Sequence, residues 1–273
     1  MKRTLVWIAR HCIAIALAVA FVLPMAFIAL TALMPDQQAM TSALWPASWE
    51  WSNLLTVFDR APVLTWLVNT VVYATLATAL TLLSSVPAAY ALARYRFRGR
   101  NAALLLVVAI MLLPPQVLVI PMYLVWADMK LTGTIWPLVL PMLFGDAFAI
   151  FLLRQFLLTI PQEYANAARI DGCGELRVLL KVILPLMRPA IAAVGLFTFF
   201  YAWNDYYGPL IYVSERPENW TLSLGLASFK TVHAVQWNLT MAATLIVMAP
   251  LIITFFLAQK AFIEGVTLTG VKG

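Results

Sequence analysis

The sequence predicts an all-α polytopic membrane protein of six transmembrane helices, on two observations. Of 273 residues, 63% are hydrophobic and only 11% charged, and the mean hydropathy is +0.88, a balance foreign to soluble domains. The apolar residues also gather into six runs, each near the roughly 20 residues needed to cross a hydrocarbon core about 30 Å thick. Backbone N–H and C=O groups find no water partner inside lipid, so such runs fold as helices. No segment between them is long enough for a separate soluble domain, so residues 1–273 read as one transmembrane domain.

The first run, Cys12–Met34, follows Lys2, Arg3 and Arg10. It exceeds the roughly 7–15 apolar residues of a secretory signal and reads as a retained first span. The connection from Pro35 to Pro62 carries Trp45, Trp49 and Trp51. Tryptophan favours the headgroup level, so this loop either lies on the outer interface or offers a docking surface to an external protein. The second run is Leu64–Ala93. The third, Ala103–Trp126, holds Pro114, Pro115 and Pro121. Prolines this close predict a bent or broken span, of the kind that lines a cavity. The fourth, Ile135–Leu158, sets Asp146 near its middle, and the fifth, Ala190–Val213, carries Trp203-Asn204-Asp205 toward its outer end. A carboxylate at membrane depth is costly and points to a pathway or a paired site. Asp146 also fits a buried side chain bonded to a neighbouring span, and the triplet fits an aromatic interface belt. The loop Glu215–Trp237 has the same two readings as the first, and Leu239–Ala258 is the sixth run. Single prolines, such as Pro24, Pro87, Pro209 and Pro250, predict kinks.

Lysine and arginine placement sets the orientation. Of 18 such residues, only Arg60, Lys130, Arg216 and Lys230 fall on the side away from the N-terminus. Both termini and the segment 159–189 are therefore expected in the cytoplasm. The net charge of +6 reflects topology and gives no reason to invoke nucleic acid. Cys12 and Cys173 lie on or near the reducing side, so no disulfide is expected. His11 and His233 fall on opposite sides and cannot share a metal. No Ser/His/Asp set, Cys/His cluster or close carboxylate pair appears, and no phosphate-gripping glycine-rich loop. The chain reads as having no ATPase site of its own; no cofactor is expected in it, and any ATP-driven work would come from a partner.

The segment 159–189 is the one long polar stretch between apolar runs. Pro161 suits a helix start, Ala165, Ala167 and Ala168 favour helix, and Gly172 supplies a stop. A second helix follows, with Leu176, Leu179, Leu180 and Ile183 on one face and Glu175, Arg177 and Lys181 off it, ended by Leu184-Pro185. The result is a helix–turn–helix with a small-residue surface that another protein can approach closely.

This segment resembles the EAA loop of permease subunits of bacterial ABC importers, whose motif is Glu-Ala-Ala, three residues, Gly, nine residues, then Ile-x-Leu-Pro. Ala167-Ala168, Gly172 and Val182-Ile183-Leu184-Pro185 stand at that spacing, with Asn166 in place of the Glu. Ile160-Pro161-x-Glu163 and Arg169-Ile170-Asp171-Gly172 are similar to the maltose-type carbohydrate branch. So are Asn69-Thr70, Ala88 to Arg94, Phe97-x-Gly99-Arg100, Leu113-Pro114, Ile120-Pro121 and Leu152-x-Arg154-Gln155-Phe156. The ending Gly265 to Gly273 resembles the family's tail.

The resemblance implies the type I ABC importer permease fold and alternating access. Partners would be a second permease subunit, two copies of an ABC ATPase that bind ATP and Mg, an extracytoplasmic substrate-binding protein and the lipid bilayer of the bacterial inner membrane. Glu163, Ala165, Asn166, Ala167, Ala168, Asp171, Gly172, Leu184 and Pro185 would couple to the ATPase. Glu163 and Asp171 are the candidates for pairing with its arginines, while Asn166 can hydrogen-bond only without charge. Gly270, Val271, Lys272 and Gly273 would reach between the ATPase subunits. Asp146, Trp203, Asn204, Asp205, Pro114 and Pro121 would line the translocation path. The cargo would be a sugar or, alternatively, a glycerophosphodiester or other polyol phosphate. An ion-coupled secondary transporter is the rival class. It would show inverted repeats and broken helices in both halves, and it leaves segment 159–189 unexplained.

Overall fold

The computed structural model describes residues 2–39, 41, 43–229 and 236–267. Helix is the only regular secondary structure among them. Four stretches are long and apolar enough to cross a membrane: Val6–Ala32, Val63–Arg94, Trp136–Thr159 and Trp237–Gln259. Two further pairs reach that length only across a sharp bend, Arg100–Met111 with Pro115–Asp128 at 93° and Glu175–Leu186 with Arg188–Asn204 at 80°. Counting each bent pair as one span gives six. The helices α1 (Lys2–Ala32), α3 (Val63–Arg94) and α14 (Trp237–Thr267) run unbroken through Pro24, Pro87 and Pro250. Two short helices, α2 (Ser52–Arg60) and α13 (Leu222–Ser228), occupy stretches expected to be loops.

Each break has a local cause. The third span is α4 (Arg100–Met111), a short turn at Pro115–Leu118 and α5 (Val119–Asp128). A residue before proline avoids the α region, and Pro114 itself is extended with ψ 126°. Pro121 falls in the first turn of α5, where a missing N–H costs no hydrogen bond, so it does not contribute to the bend. The fourth span is broken too, a departure from the single run expected. It consists of α6 (Trp136–Val139), a tight turn over Leu140–Phe144, and α7 (Ala147–Thr159). Between them Gly145 adopts φ +93°. Groups freed by the break are met by serines of α3: Ser84 Oγ donates to the Met142 carbonyl at 2.7 Å, and Ser85 Oγ accepts from the Asp146 N–H at 3.2 Å.

The chain divides into two compact units, 1–64 with 225–252 and 65–224 with 253–273. In the first, buried Asn53 of α2 donates to the carbonyls of Ala32 and Met34, each at 2.9 Å, and accepts from Asn238 at 3.4 Å. Trp45, Trp49 and Trp51 are exposed and lean on one another. The second unit holds a core where the end of α3, all of α7 and the start of α11 (Arg188–Asn204) converge. Val86, Tyr90, Leu153, Phe156, Leu157, Met187 and Val194 fill it, together with residues of segment 159–189.

Candidate functional site

Segment 159–189 folds as a helix–turn–helix. Its first arm is α8 (Glu163–Ile170). The chain then closes as a Schellman turn: the Cys173 N–H donates to the Ala168 carbonyl at 2.9 Å and the Gly172 N–H to the Arg169 carbonyl at 3.0 Å. Gly172 takes φ +82°, and a Cβ there would meet nothing within 4 Å. Glycine is therefore required by the backbone turn and not by crowding within the chain.

The second arm departs from the expectation. It is α9 (Glu175–Val178), a π-helical stretch over Leu179–Ile183 and α10 (Leu184–Leu186). Leu184-Pro185 does not end it, because Pro185 sits in a first turn that tolerates proline. The 80° bend comes at Met187, before Arg188-Pro189. The leucines do not share a face either. Val178, Leu179 and Ile183 are buried, while Leu176 is 70% exposed and Leu180 is also outside.

The alanines separate in the same way. Ala165 and Ala168 face the core and anchor the module. Ala167 is exposed with Glu163, Asn166, Asp171 and Gly172, beside Tyr164 and Ile170, the last 86% exposed. Ala168 and Ala165 are thus removed from the surface a partner could touch, and Ala167 remains on it. Gly172, Gly174, Glu175, Leu176, Arg177 and Lys181 line a shallow open groove beside the turn.

A polar brace fixes this module to the end of α3. Arg94 donates to the Gln162 side chain at 2.8 Å and to the carbonyls of Leu157 and Ile160 at 2.8 and 2.7 Å. Those carbonyls close α7, so one guanidinium holds the entry to the helix–turn–helix. Glu175 is held at the other end. It pairs with Arg169 at 2.6 Å and accepts from the hydroxyls of Tyr90 and Tyr95 at 3.3 and 3.2 Å. Arg169 also donates to Asn166 Oδ1 at 2.9 Å, so the residue standing in place of the motif's Glu joins an internal network. The hydrogen bond from Arg169 holds the Glu175 carboxyl below its ordinary range, and the same pair raises Arg169. The sequence reading missed this brace. Its local sign was Tyr90 and Arg94 one turn apart at the end of a span.

The carboxylates expected on a pathway are engaged with backbone. Asp146 is not mid-helix; it is the N-cap of α7 and accepts from the Ala149 N–H at 2.7 Å. Asp205 sits in the break between α11 and α12 (Tyr207–Tyr212). Its Oδ1 accepts from the Gly208 N–H at 3.0 Å and its Oδ2 from the hydroxyl of buried Tyr73 at 2.9 Å. A Cβ on Gly208 would stand 2.5 Å from Asp205 Oδ2, so glycine is what admits the carboxylate. Trp203 is buried against Phe199, and Asn204 is exposed with its amide on the Phe200 carbonyl at 2.8 Å. No hydrogen bond or ion pair joins Asp146 to Asp205 among the described residues. Pro114 and Pro121 lie exposed at the bend of the third span. Gly270, Val271, Lys272 and Gly273 lie outside the described residues.

The chain is similar to known proteins over most of its length. The family described as binding-protein-dependent transport system inner membrane component matches residues 85–267. The arabinooligosaccharides transport system permease protein of Halalkalibacterium halodurans is 33% identical, covering 92% of this chain and 91% of that protein. The diacetylchitobiose uptake system permease protein of Streptomyces coelicolor is 31% identical over the whole of both chains. The sn-glycerol-3-phosphate transport system permease protein of Pectobacterium atrosepticum is 34% identical, covering 91% of each. In fold, a bacterial ABC transporter involved in import of the acidic polysaccharide alginate matches with a TM-score of 0.84 at 23% identity, over 96% of this chain and 98% of that one.

Proposed function

The chain belongs to the binding-protein-dependent transport system inner membrane components, and from that premise we propose that it carries a sugar or oligosaccharide inward as one half of a heterodimeric pore. It is a multi-pass inner-membrane permease subunit of an ABC importer, and a permease of this family works with an ATPase and a substrate-binding protein. Two ATPase copies and a second, different permease complete the reading, with ATP and Mg held by the ATPases. Both termini and the segment 159–189 face the cytoplasm in this reading, in keeping with the lysine and arginine distribution.

One observation supports the coupling role most directly. The motif segment presents Glu163, Asn166, Ala167, Ile170 and Asp171 outward from a base anchored in the core by Ala165, Ala168, Val178 and Ile183. A rigid base with an exposed face can transmit an ATPase movement to α3, α7 and α11. The relatives named for arabinooligosaccharides and diacetylchitobiose support a carbohydrate cargo. The glycerol-3-phosphate relative supports the second reading, a polyol phosphate such as a glycerophosphodiester.

Copurification followed by ligand identification on the binding protein tests the proposal. A bound oligosaccharide is expected; a glycerophosphodiester selects the second reading, and the absence of any ATPase from the complex overturns both. Leu176→Cys tests orientation, because Leu176 is exposed whereas Cys173 is half-buried. In a Cys173→Ser background an impermeant maleimide should label it in inverted vesicles and not in intact cells.

A further inference from the structure

Two arginines from separate sequence motifs meet at one atom. Arg100 and Arg154 each donate Nε–H to the Leu92 carbonyl, at 2.9 and 3.3 Å. That oxygen belongs to the last turn of α3, where helix carbonyls lack intrahelical partners. A guanidinium carries five N–H donors, so most of each remains to be satisfied. Yet the only ion pair among the described residues is Arg169–Glu175, and no carboxylate meets Arg96, Arg98, Arg100 or Arg154. Two like charges are fixed side by side with only one neutral oxygen between them.

The surroundings are those of a membrane boundary. Arg96, Phe97 and Arg98 are exposed on the turn between α3 and α4, and Gly99, with φ +88°, leaves open space beside Arg100. Immediately beyond, α4 turns Leu105 and Leu106, 69% and 62% exposed, and Ile110 outward at helical spacing. The pattern is a cationic collar above an apolar stripe left exposed among the described residues.

We propose that the collar of Arg96, Arg100 and Arg154 binds the phosphate of an anionic phospholipid, with its acyl chains along Leu105, Leu106 and Ile110. A phosphodiester supplies the acceptors that two adjacent guanidiniums lack and matches their fork geometry. Surface arginines at a membrane boundary also attract anionic headgroups. The stripe selects a lipid over a free anion. The site requires only that α3, α4 and α7 end near a membrane surface, so it stands apart from any choice of cargo.

The assembled importer, purified in mild detergent, is titrated with phosphatidylglycerol or phosphatidylcholine and its bound lipids are counted by native mass spectrometry. Phosphatidylglycerol should be retained about tenfold better than phosphatidylcholine. An Arg100→Gln/Arg154→Gln variant should lose that preference, and Arg100→Lys/Arg154→Lys, with the charge but not the fork, should keep only part of it. Should the Gln pair fail to assemble, Arg96→Gln, at an exposed side chain with no ion pair among the described residues, gives the same reading with about a threefold loss. Unchanged preference in the Gln variants overturns the site. Displacement of phosphatidylglycerol by equimolar glycerol phosphate overturns the lipid as its occupant. Failure to find an ATPase or a sugar would leave both outcomes untouched.

Discussion

The helix–turn–helix at 163–187 and the break at Asp205 are both polar interruptions in an apolar chain, and they use their polar residues in opposite ways. In the first, buried alanines hold the base, while Glu163, Ala167 and Asp171 stay on the surface. In the second, Asn204 is exposed but the Asp205 carboxylate is taken up within the chain, bound by Tyr73 and Gly208. A costly residue in a membrane protein can therefore serve a partner or serve its own backbone. What separates the two is whether its hydrogen-bonding capacity is already taken up inside the chain.

The sharpest way to break this comparison is Asp205→Ala. The Tyr73 hydroxyl and the Gly208 N–H would lose their acceptor, at a cost of about 1–3 kcal/mol. We expect a lower unfolding temperature and poorer recovery of complex, with Asp205→Asn milder. A fully stable Asp205→Ala importer that cannot transport would favour a place for Asp205 on the pathway over a structural role.

Next in size is the pair Ala165→Leu and Ala167→Leu. The first overpacks a buried position and should cost about 1–3 kcal/mol. The second should leave stability within about 0.5 kcal/mol and still abolish stimulation of ATP hydrolysis by loaded binding protein. Equal thermal stabilities for the two would erase the distinction between base and face.

Gly172 sharpens the same point. Its φ of +82° makes Gly172→Ala cost about 1–2 kcal/mol through the backbone alone. Gly172→Asn should cost less, because asparagine tolerates left-handed geometry. The Cβ of Gly172→Trp, like that of Gly172→Ala, meets nothing within 4 Å. Any loss of ATPase stimulation beyond that of Gly172→Ala therefore measures a partner's closeness, and identical losses would show that only the turn matters.

The smallest effect concerns pH. The Glu175 carboxyl is held below its ordinary range by Arg169. The contribution of this exposed pair is thus complete at neutral pH and is lost only as acid protonates Glu175 in the folded chain. Glu175→Gln should lower stability slightly near neutrality and match the unmutated chain in acid. A difference that grows with acidity would reverse the sign and remove the brace from the account.

The spans were legible because hydropathy is a local quantity that adds along a run. Their breaks were less so. Gly145-Asp146 before an apolar run is a helix-start signal, but inside a 24-residue apolar stretch it reads as a stray charge. The inward and outward leucines of the second arm were misassigned because α spacing was applied across a π turn. The brace was beyond reach for a different reason: Tyr90 and Glu175 stand 85 positions apart, and only the folded core brings them together. The motif spacing identified the module, while the identity of its outward residues depended on which alanines the core had room to bury.

The π stretch at Leu179–Ile183 has one more consequence. A wider turn holds an extra residue, and each residue added to or removed from a helix rotates what precedes it by about 100°. The heading of Tyr164, Ala167 and Ile170 is then set by a residue count as much as by any side chain. Deleting exposed Lys181 would restore α winding and keep the module's composition intact. An alanine added to α9, with no wide turn to take it up, would instead swing the outer face by about 100° and pull Ala165 and Ala168 off the core. Crosslinking from Ile170→Cys should report that misdirection, and unchanged crosslinks would show that the rest of the module absorbs the turn. Length here works as an angular setting, which substitution scans cannot detect.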